Sequence, residues 1–323
     1  MVMSEKKSYT IQVLRGFAII AVVFIHNTPT GLPQVFCRPF LNFAVGLFLF
    51  LSGMLSNAEK WKPWKRIKKV IVPYFIWTLI YAVLYNLKTP AKIPIEFVKC
   101  AITGTAAATM YYIFVYCQFT LLIPLIDKLA RSKYKLFGFL IAPAEIIAMR
   151  LIPLVLGIEM NKYLTMIIKV SCVGWFAYFY LGYLMGNGLL TVRFSDRKLK
   201  IMLAASVLLQ IAEGYYYYQL GEPNCGTQLK LTSVLTGLLF AILAFRLIES
   251  EKCREIKLLY LLGEYSFGIY FSHLAVMAVL NQIPHYKSIA VYPLNALIAL
   301  VLTTLCVIAG RRVLGKNSKY LAL

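Results

Sequence analysis

The sequence predicts an all-α polytopic membrane protein of about ten transmembrane helices with both termini cytoplasmic. Three observations carry this. Hydrophobic residues make up 60% of the 323 and the mean hydropathy is +0.71, well above soluble domains, and apolar runs of spanning length recur. No alternating ten-residue strand pattern supports a β-barrel. Finally, of the 34 Lys and Arg residues, 24 fall in alternate connecting segments, seven in the others and three within spans. That asymmetry is the positive-inside signature; it sets N-in, C-in topology and an even number of spans.

The spans read, in order, 11–28, 40–57, 70–87, 110–126, 136–156, 166–186, 200–218, 231–247, 258–280 and 289–309. The first follows MVMSEKKSYT. No small-residue cleavage site comes after it, so it is read as a retained helix rather than a signal peptide. The second ends VGLFLFLSGMLS, and the dense cationic segment NAEKWKPWKRIKK leads into the third. The longest outer connection, 88–109, carries Pro90 and Pro94, which break helix, and its later part suits a short surface helix. Basic segments precede the fifth, seventh and ninth spans, and the tail GKNSKYLAL follows the last. The whole chain, 1–323, reads as a single transmembrane domain with short cytoplasmic tails. The net charge of +21 follows mainly from topology, so no nucleic-acid partner is invoked. Seven cysteines show no CxxC or metal spacing and read as small packing residues, with no metal expected.

Arg15 and His26 share the first span, LRGFAIIAVVFIHN. Both are costly in a bilayer and invite a functional reading. Eleven positions make almost three helical turns, so the two side chains share a face roughly 16 Å apart along the axis. One helix then carries a fixed cation near the inner surface and a titratable base toward the outer one; histidine suits general-base work near neutral pH. The plainer readings are a snorkelling anchor for Arg15 and an interfacial histidine bonded to a carbonyl for His26. Glu145, Arg150, Lys169, Glu213 and His273 add polar groups on the outer halves of later spans. They either neutralise one another or line an outward cavity. The run Tyr215 to Tyr218 reads as an aromatic belt or as the rim of such a cavity.

Six segments together resemble the acyltransferase-3 family of integral membrane O-acyltransferases. LRGFAIIAVVFIH resembles its Arg-x10-His first helix, and FLFLSG its second-helix signature. KRIKKVIVPYFIW is similar to the basic stretch before the third helix, and MYYIFVYCQFTLLIPLI to an aromatic-rich helix with a Gln and a Leu-x-x-Pro-Leu ending. YLGYLMG resembles a sixth-span ending, and LGEYSFGIYFSHLAV the penultimate helix. They run in the expected order from residue 10 to 276.

The resemblance implies a membrane O-acyltransferase. It would transfer an acyl group, most often acetyl, from cytoplasmic acetyl-CoA to a hydroxyl of a cell-surface or exported glycan, in the plasma membrane. Arg15 and His26 carry over as the essential pair. The family's Arg-x-x-Arg becomes Arg66-Ile67-Lys68-Lys69 here, which keeps the charge and loses the second guanidinium. Lys65, Arg66, Lys68 and Lys69, with Arg15, are the expected cations for the nucleotide head of coenzyme A. His26 would deprotonate the acceptor hydroxyl, with an acyl-histidine intermediate as the competing route. Tyr112, Gln118, Ser52 and Asn27 are available to stabilise an oxyanion. The expected substrate-side residues are Tyr112, Gln118, Arg150, Glu213 and His273. The partners are acyl-CoA, the glycan or lipid-linked glycan acceptor and the bilayer; a homo-oligomer or a separate extracytoplasmic partner is left open. The alternatives are a transporter of a small polar or lipid-linked substrate through the same polar cavity, and a non-enzymatic sensor. The absence of a visible internal repeat and of paired broken helices weighs against the transporter.

Overall fold

The computed structural model describes residues 4–323, with the side chains of Lys162, Tyr163 and Lys287 excepted. It is helical, with no strand among the described residues. The α-helices are α1 Glu5–Asn27, α2 Leu32–Cys37, α3 Phe43–Met54, α4 Pro63–Tyr85, α5 Ile93–Thr103, α6 Tyr111–Arg131, α7 Ile141–Ile146, α8 Ile152–Leu156, α9 Lys162–Val170, α10 Phe176–Gly186, α11 Asp196–Gln219, α12 Leu231–Ser250, α13 Lys257–Glu264, α14 Ser266–Leu280, α15 Tyr286–Ile289 and α16 Leu294–Leu314.

Eight helical stretches among the described residues are long and apolar enough to cross a bilayer: Glu5–Asn27, Leu32–Met54, Pro63–Tyr85, Tyr111–Arg131, Lys135–Leu156, Leu164–Gly186, Leu231–Ser250 and Leu294–Leu321. The chain is a multi-pass membrane protein. The two other expected spans are also helical. In α11, Gln210, Glu213 and the tyrosine run lower the hydropathy. The ninth is divided at Tyr265 into α13 and α14, and α14 has 15 residues. The second span begins earlier than expected, because α2 and a 3₁₀ turn at Arg38–Phe40 lead into α3. Segment 135–156 is built from a 3₁₀ turn, α7, a π turn at Ile147–Leu151 and α8. All seven cysteines are free thiols.

The residues group into two compact units. The first comprises Met1–Trp61, Leu122–Met160 and Val173–Gly263, and the second Lys62–Leu121, Asn161–Cys172 and Glu264–Leu323.

In the first unit, α1 starts at Ser4, whose hydroxyl accepts from the Lys7 amide at 3.2 Å, with Glu5 complementing the helix dipole. Glycines set the helix seams. A Cβ on Gly16 would run into the Leu259 carbonyl, and one on Gly263 into the Gln12 carbonyl, so α1 and α13 meet backbone to backbone. Likewise Gly53 faces the Phe179 carbonyl, Gly182 that of Phe50 and Gly186 that of Met54, which locks α3 to α10. Small residues that admit such approach are the usual device in apolar surroundings. The glycines of LRG, FLSG, YLGYLMG and LGE thus build helix contacts. Gly46 and Gly237 clasp the ring of Tyr178, whose hydroxyl donates to the Ser233 carbonyl at 3.1 Å.

The second unit joins α4, α5, α14 and the 3₁₀ turn Gly315–Leu321 after α16 through aromatic groups. Tyr81 is fully buried; its hydroxyl donates to the Phe271 carbonyl at 2.7 Å and accepts from the Ala275 amide at 3.1 Å. Trp77 donates to the Leu321 carbonyl at 3.0 Å and stacks on Phe271. Tyr74 shares its proton between the Cys100 and Ala101 carbonyls of α5. The helix α5 ends at Gly104, whose φ of +67° is left-handed.

Candidate functional site

The helix α1 is unbroken from Glu5 to Asn27 and carries both Arg15 and His26 half-buried. Their separation along the axis is therefore roughly 16 Å. Arg15 donates to the Gln12 side chain at 3.3 Å. His26 lies in the last turn, where backbone carbonyls lose their intrahelical partners. Three carbonyls at this end of the helix accept from side chains. Asn27 donates to the Val23 carbonyl at 2.8 Å, the Thr28 hydroxyl to Phe24 at 2.9 Å and Arg38 to Ile25 at 3.1 Å. The His26 turn is fixed from three sides, and a guanidinium at a helix C-terminus is favourable in its own right.

Beside this turn the first unit holds a buried polar network. Lys230 is fully buried and donates from Nζ to the carbonyls of Gln210 at 3.1 Å and Cys225 at 3.3 Å. Burial pushes its ammonium down to about 8, against the opposing pull of Glu213. The Glu213 carboxylate accepts from the amides of Leu231 at 3.2 Å and Thr232 at 2.9 Å and from the Thr232 hydroxyl. It thus seats an anion on the N-terminus of α12. Asn42 donates to the Gln210 side chain at 2.6 Å, and Ser233 donates to the same oxygen at 3.0 Å. Arg150, on the π turn, donates to the Asn224 carbonyl at 3.4 Å, stands 3.9 Å from Glu222 and lies over the Tyr217 ring. Tyr217 is fully buried, whereas Tyr215, Tyr216 and Tyr218 are exposed.

The opposite ends of these helices collect cations. Lys7 pairs with Glu249 at 2.8 Å, Arg131 with Asp127 at 2.9 Å and Arg246 with Asp196. A cavity of about 720 Å³ opens at this end, lined by Lys7, Asn57, Lys60, Asn187 and Glu249 among others. The C-termini of α3, α10 and α12 converge on it. Their dipoles oppose an anion there despite the lysines.

In the second unit, Lys65, Arg66, Lys68 and Lys69 occupy the first two turns of α4 rather than a loop. The lysines are exposed, Arg66 is half-buried, and the first turn holds no acid. Cations against the positive end of a helix repel one another and attract an anion. Gln118 spends its amide on backbone, donating to the Val170 carbonyl at 2.7 Å and accepting from the Cys172 amide at 3.0 Å where the helical path breaks. Tyr112 packs against Tyr116 and Tyr270. His273 is fully buried, with Nδ1 2.9 Å from the Ile269 carbonyl of its own helix.

Of the residues singled out from sequence, Arg15, His26, Arg150 and Glu213 thus belong to the first unit. Lys65, Arg66, Lys69, Tyr112, Gln118 and His273 belong to the second. Arg150 and Glu213 both act on Tyr217. Sequence reading missed Arg38, Asn42, Gln210 and Lys230. It counted Arg38 and Lys230 only as outer charges; Asn42 and Gln210, amides inside apolar segments, were the available signal.

No curated protein and no solved structure gives a match to this chain. A family model, described as an acyltransferase domain, matches residues 8–312. That range takes in most of both units and every candidate residue singled out from sequence, and the chain belongs to the acyltransferase-3 family of membrane acyltransferases.

Proposed function

We propose that this acyltransferase moves an acyl group, acetyl in the commonest case, from cytoplasmic acyl-CoA to a hydroxyl of a cell-surface or exported glycan. The reading assumes ten spans, N-in and C-in, in the plasma membrane. The observation that carries it is α1: one unbroken helix bearing Arg15 and, roughly 16 Å away, His26 in a turn fixed by Asn27, Thr28 and Arg38. The charge division between the two ends of the first unit supports placing the Lys7 end inside and the His26 end outside.

In this reading His26 takes the proton of the acceptor hydroxyl. The oxygen then attacks the thioester carbonyl, the C–S bond breaks, and the proton returns to the departing thiolate. Lys65, Arg66 and Lys69, exposed or half-buried on the first turns of α4, suit the phosphates of the donor. Arg15 supplies a fixed positive charge at the inner end of α1. Arg150 and Glu213 in the first unit, and Tyr112, Gln118 and His273 in the second, are the polar groups this reading leaves to the acceptor side.

Purified protein in nanodiscs, supplied with acetyl-CoA and glycoside acceptors, tests this by thiol release. His26→Gln is expected to lower kcat by ~10²–10⁴ with the fold intact. A folded His26→Gln protein with wild-type transfer would remove the proposed base. Substrate counterflow without acylation would favour a transporter.

A further inference from the structure

A second, smaller cavity of about 360 Å³ lies in the first unit and is lined by Thr30, Gly31, Tyr218, Gly221, Glu222 and Pro223. That volume suits a small ligand. Three features of its wall define a chemistry. Tyr218 is 39% exposed, and its ring edge would stand 3.8 Å from a Cβ at Gly31, so it leans over the loop. Glu222 supplies a carboxylate and Thr30 a hydroxyl, and no cation is among the described residues that line the cavity. Gly31 and Gly221 have φ of +77° and +76°, and a Cβ on Gly221 would meet nothing, so part of the wall is bare backbone.

The walls are held in place. The Cys225 thiol donates to the Gly31 carbonyl at 3.4 Å, tying one wall to the other. Glu222 accepts from the Asn224 amide at 3.1 Å and faces Arg150 at 3.9 Å. Arg38 links α2 to the His26 turn through the Ile25 carbonyl. Thr30 follows His26 by four residues, which limits their Cα separation to roughly 14 Å even for extended chain.

We infer that this cavity is the subsite for a neutral pyranose of the acceptor. The C–H face of such a ring stacks on Tyr218, and its hydroxyls donate to the Glu222 carboxylate, a charge-assisted bond. A uronic acid would set its carboxylate against Glu222, and the Arg150 beside it is already engaged by Glu222 and by the Asn224 carbonyl. A ring seated here leaves the next sugar of a short glycan within reach of His26. The inference rests on the reading of the His26 end as the place of transfer, and it adds which surface selects the acceptor and by what chemistry.

Protein in nanodiscs, with acetyl-CoA and a panel of methyl disaccharide glycosides in which one ring is varied (neutral hexosides, an N-acetylhexosaminide and a hexuronide), tests it by thiol release. Neutral glycosides should outperform the hexuronide by tenfold or more in kcat/KM. Tyr218→Ala and Glu222→Gln should raise the acceptor KM at least tenfold against a smaller change in kcat, and Tyr218→Phe should restore most of the loss. An unchanged KM in both variants, or preference for the hexuronide, overturns the subsite. If no glycoside supports thiol release, saturation-transfer NMR of the neutral hexosides on wild type against Tyr218→Ala decides, and equal transfer overturns it. Wild-type kcat in His26→Gln beside a raised KM in Tyr218→Ala would remove the base and leave the subsite standing.

Discussion

The two ends of the first unit use the same residue types in opposite ways. At the Lys7 end the cations are at or near the surface and pair with acids that are themselves partly exposed: Lys7 with Glu249, Arg131 with Asp127, Arg246 with Asp196. At the His26 end the cations are fewer and drawn inward. Lys230 is fully buried, and Arg38 and Arg150 bond backbone carbonyls. A charge in the first group acts as a topological tag; one in the second acts as a strut. Cations that look alike in sequence therefore differ in what their removal costs.

That contrast orders the expected effects. The loss of transfer in His26→Gln, ~10²–10⁴ in kcat, should be the largest. It should leave thermal stability close to wild type, because the Asn27, Thr28 and Arg38 side chains hold the turn through its carbonyls. Glu213→Gln comes next. It removes the negative charge that opposes the desolvation of Lys230 and weakens the bonds to the first amides of α12, at a cost of about 1–3 kcal/mol. A fall in Tm in detergent reads it; an unchanged Tm would mean that Lys230 is satisfied by carbonyls alone.

Lys230 itself gives a pH test. Its folded value, near 8, lies below the ordinary lysine value of 10.5. Between these two pH values the unfolded chain binds the extra proton, so stability rises with pH across that window and the penalty is fully present below it. The rise should reach ~3 kcal/mol at most and vanish in Lys230→Met. A parallel pH profile in wild type and variant would deny the buried ammonium. The smallest effect belongs to the other end: Lys7→Ala, which removes a partly exposed pair, should cost no more than ~1 kcal/mol. A larger loss there would erase the distinction between the two ends.

Much of the architecture was legible in the chain. Apolar runs marked the helices because a bilayer requires about twenty such residues in succession. The Arg15–His26 spacing held its meaning because α1 is unbroken. Less legible were the interruptions. The expected spans at 136–156 and 166–186 contain a π turn and a break at Ser171–Cys172. Hydropathy sums over a window and is blind to which carbonyl each amide meets. The basic cluster before the third span lies on helix because Pro63 at the first helical position starts α4 early.

The sequence by itself determined the class, the helical segments, the segregation of cations and the family. Each follows from local composition or spacing, which a chain carries wherever it folds. Only the tertiary structure decided that Arg38 braces the His26 turn, that Lys230 and Glu213 share a buried network, and that Thr30, Tyr218 and Glu222 face one cavity. Those residues come from different segments of the chain, and one type of side chain is topological signal or buried partner according to what packs against it. Burial decides between the two, and burial is a property of neighbours that no single segment contains.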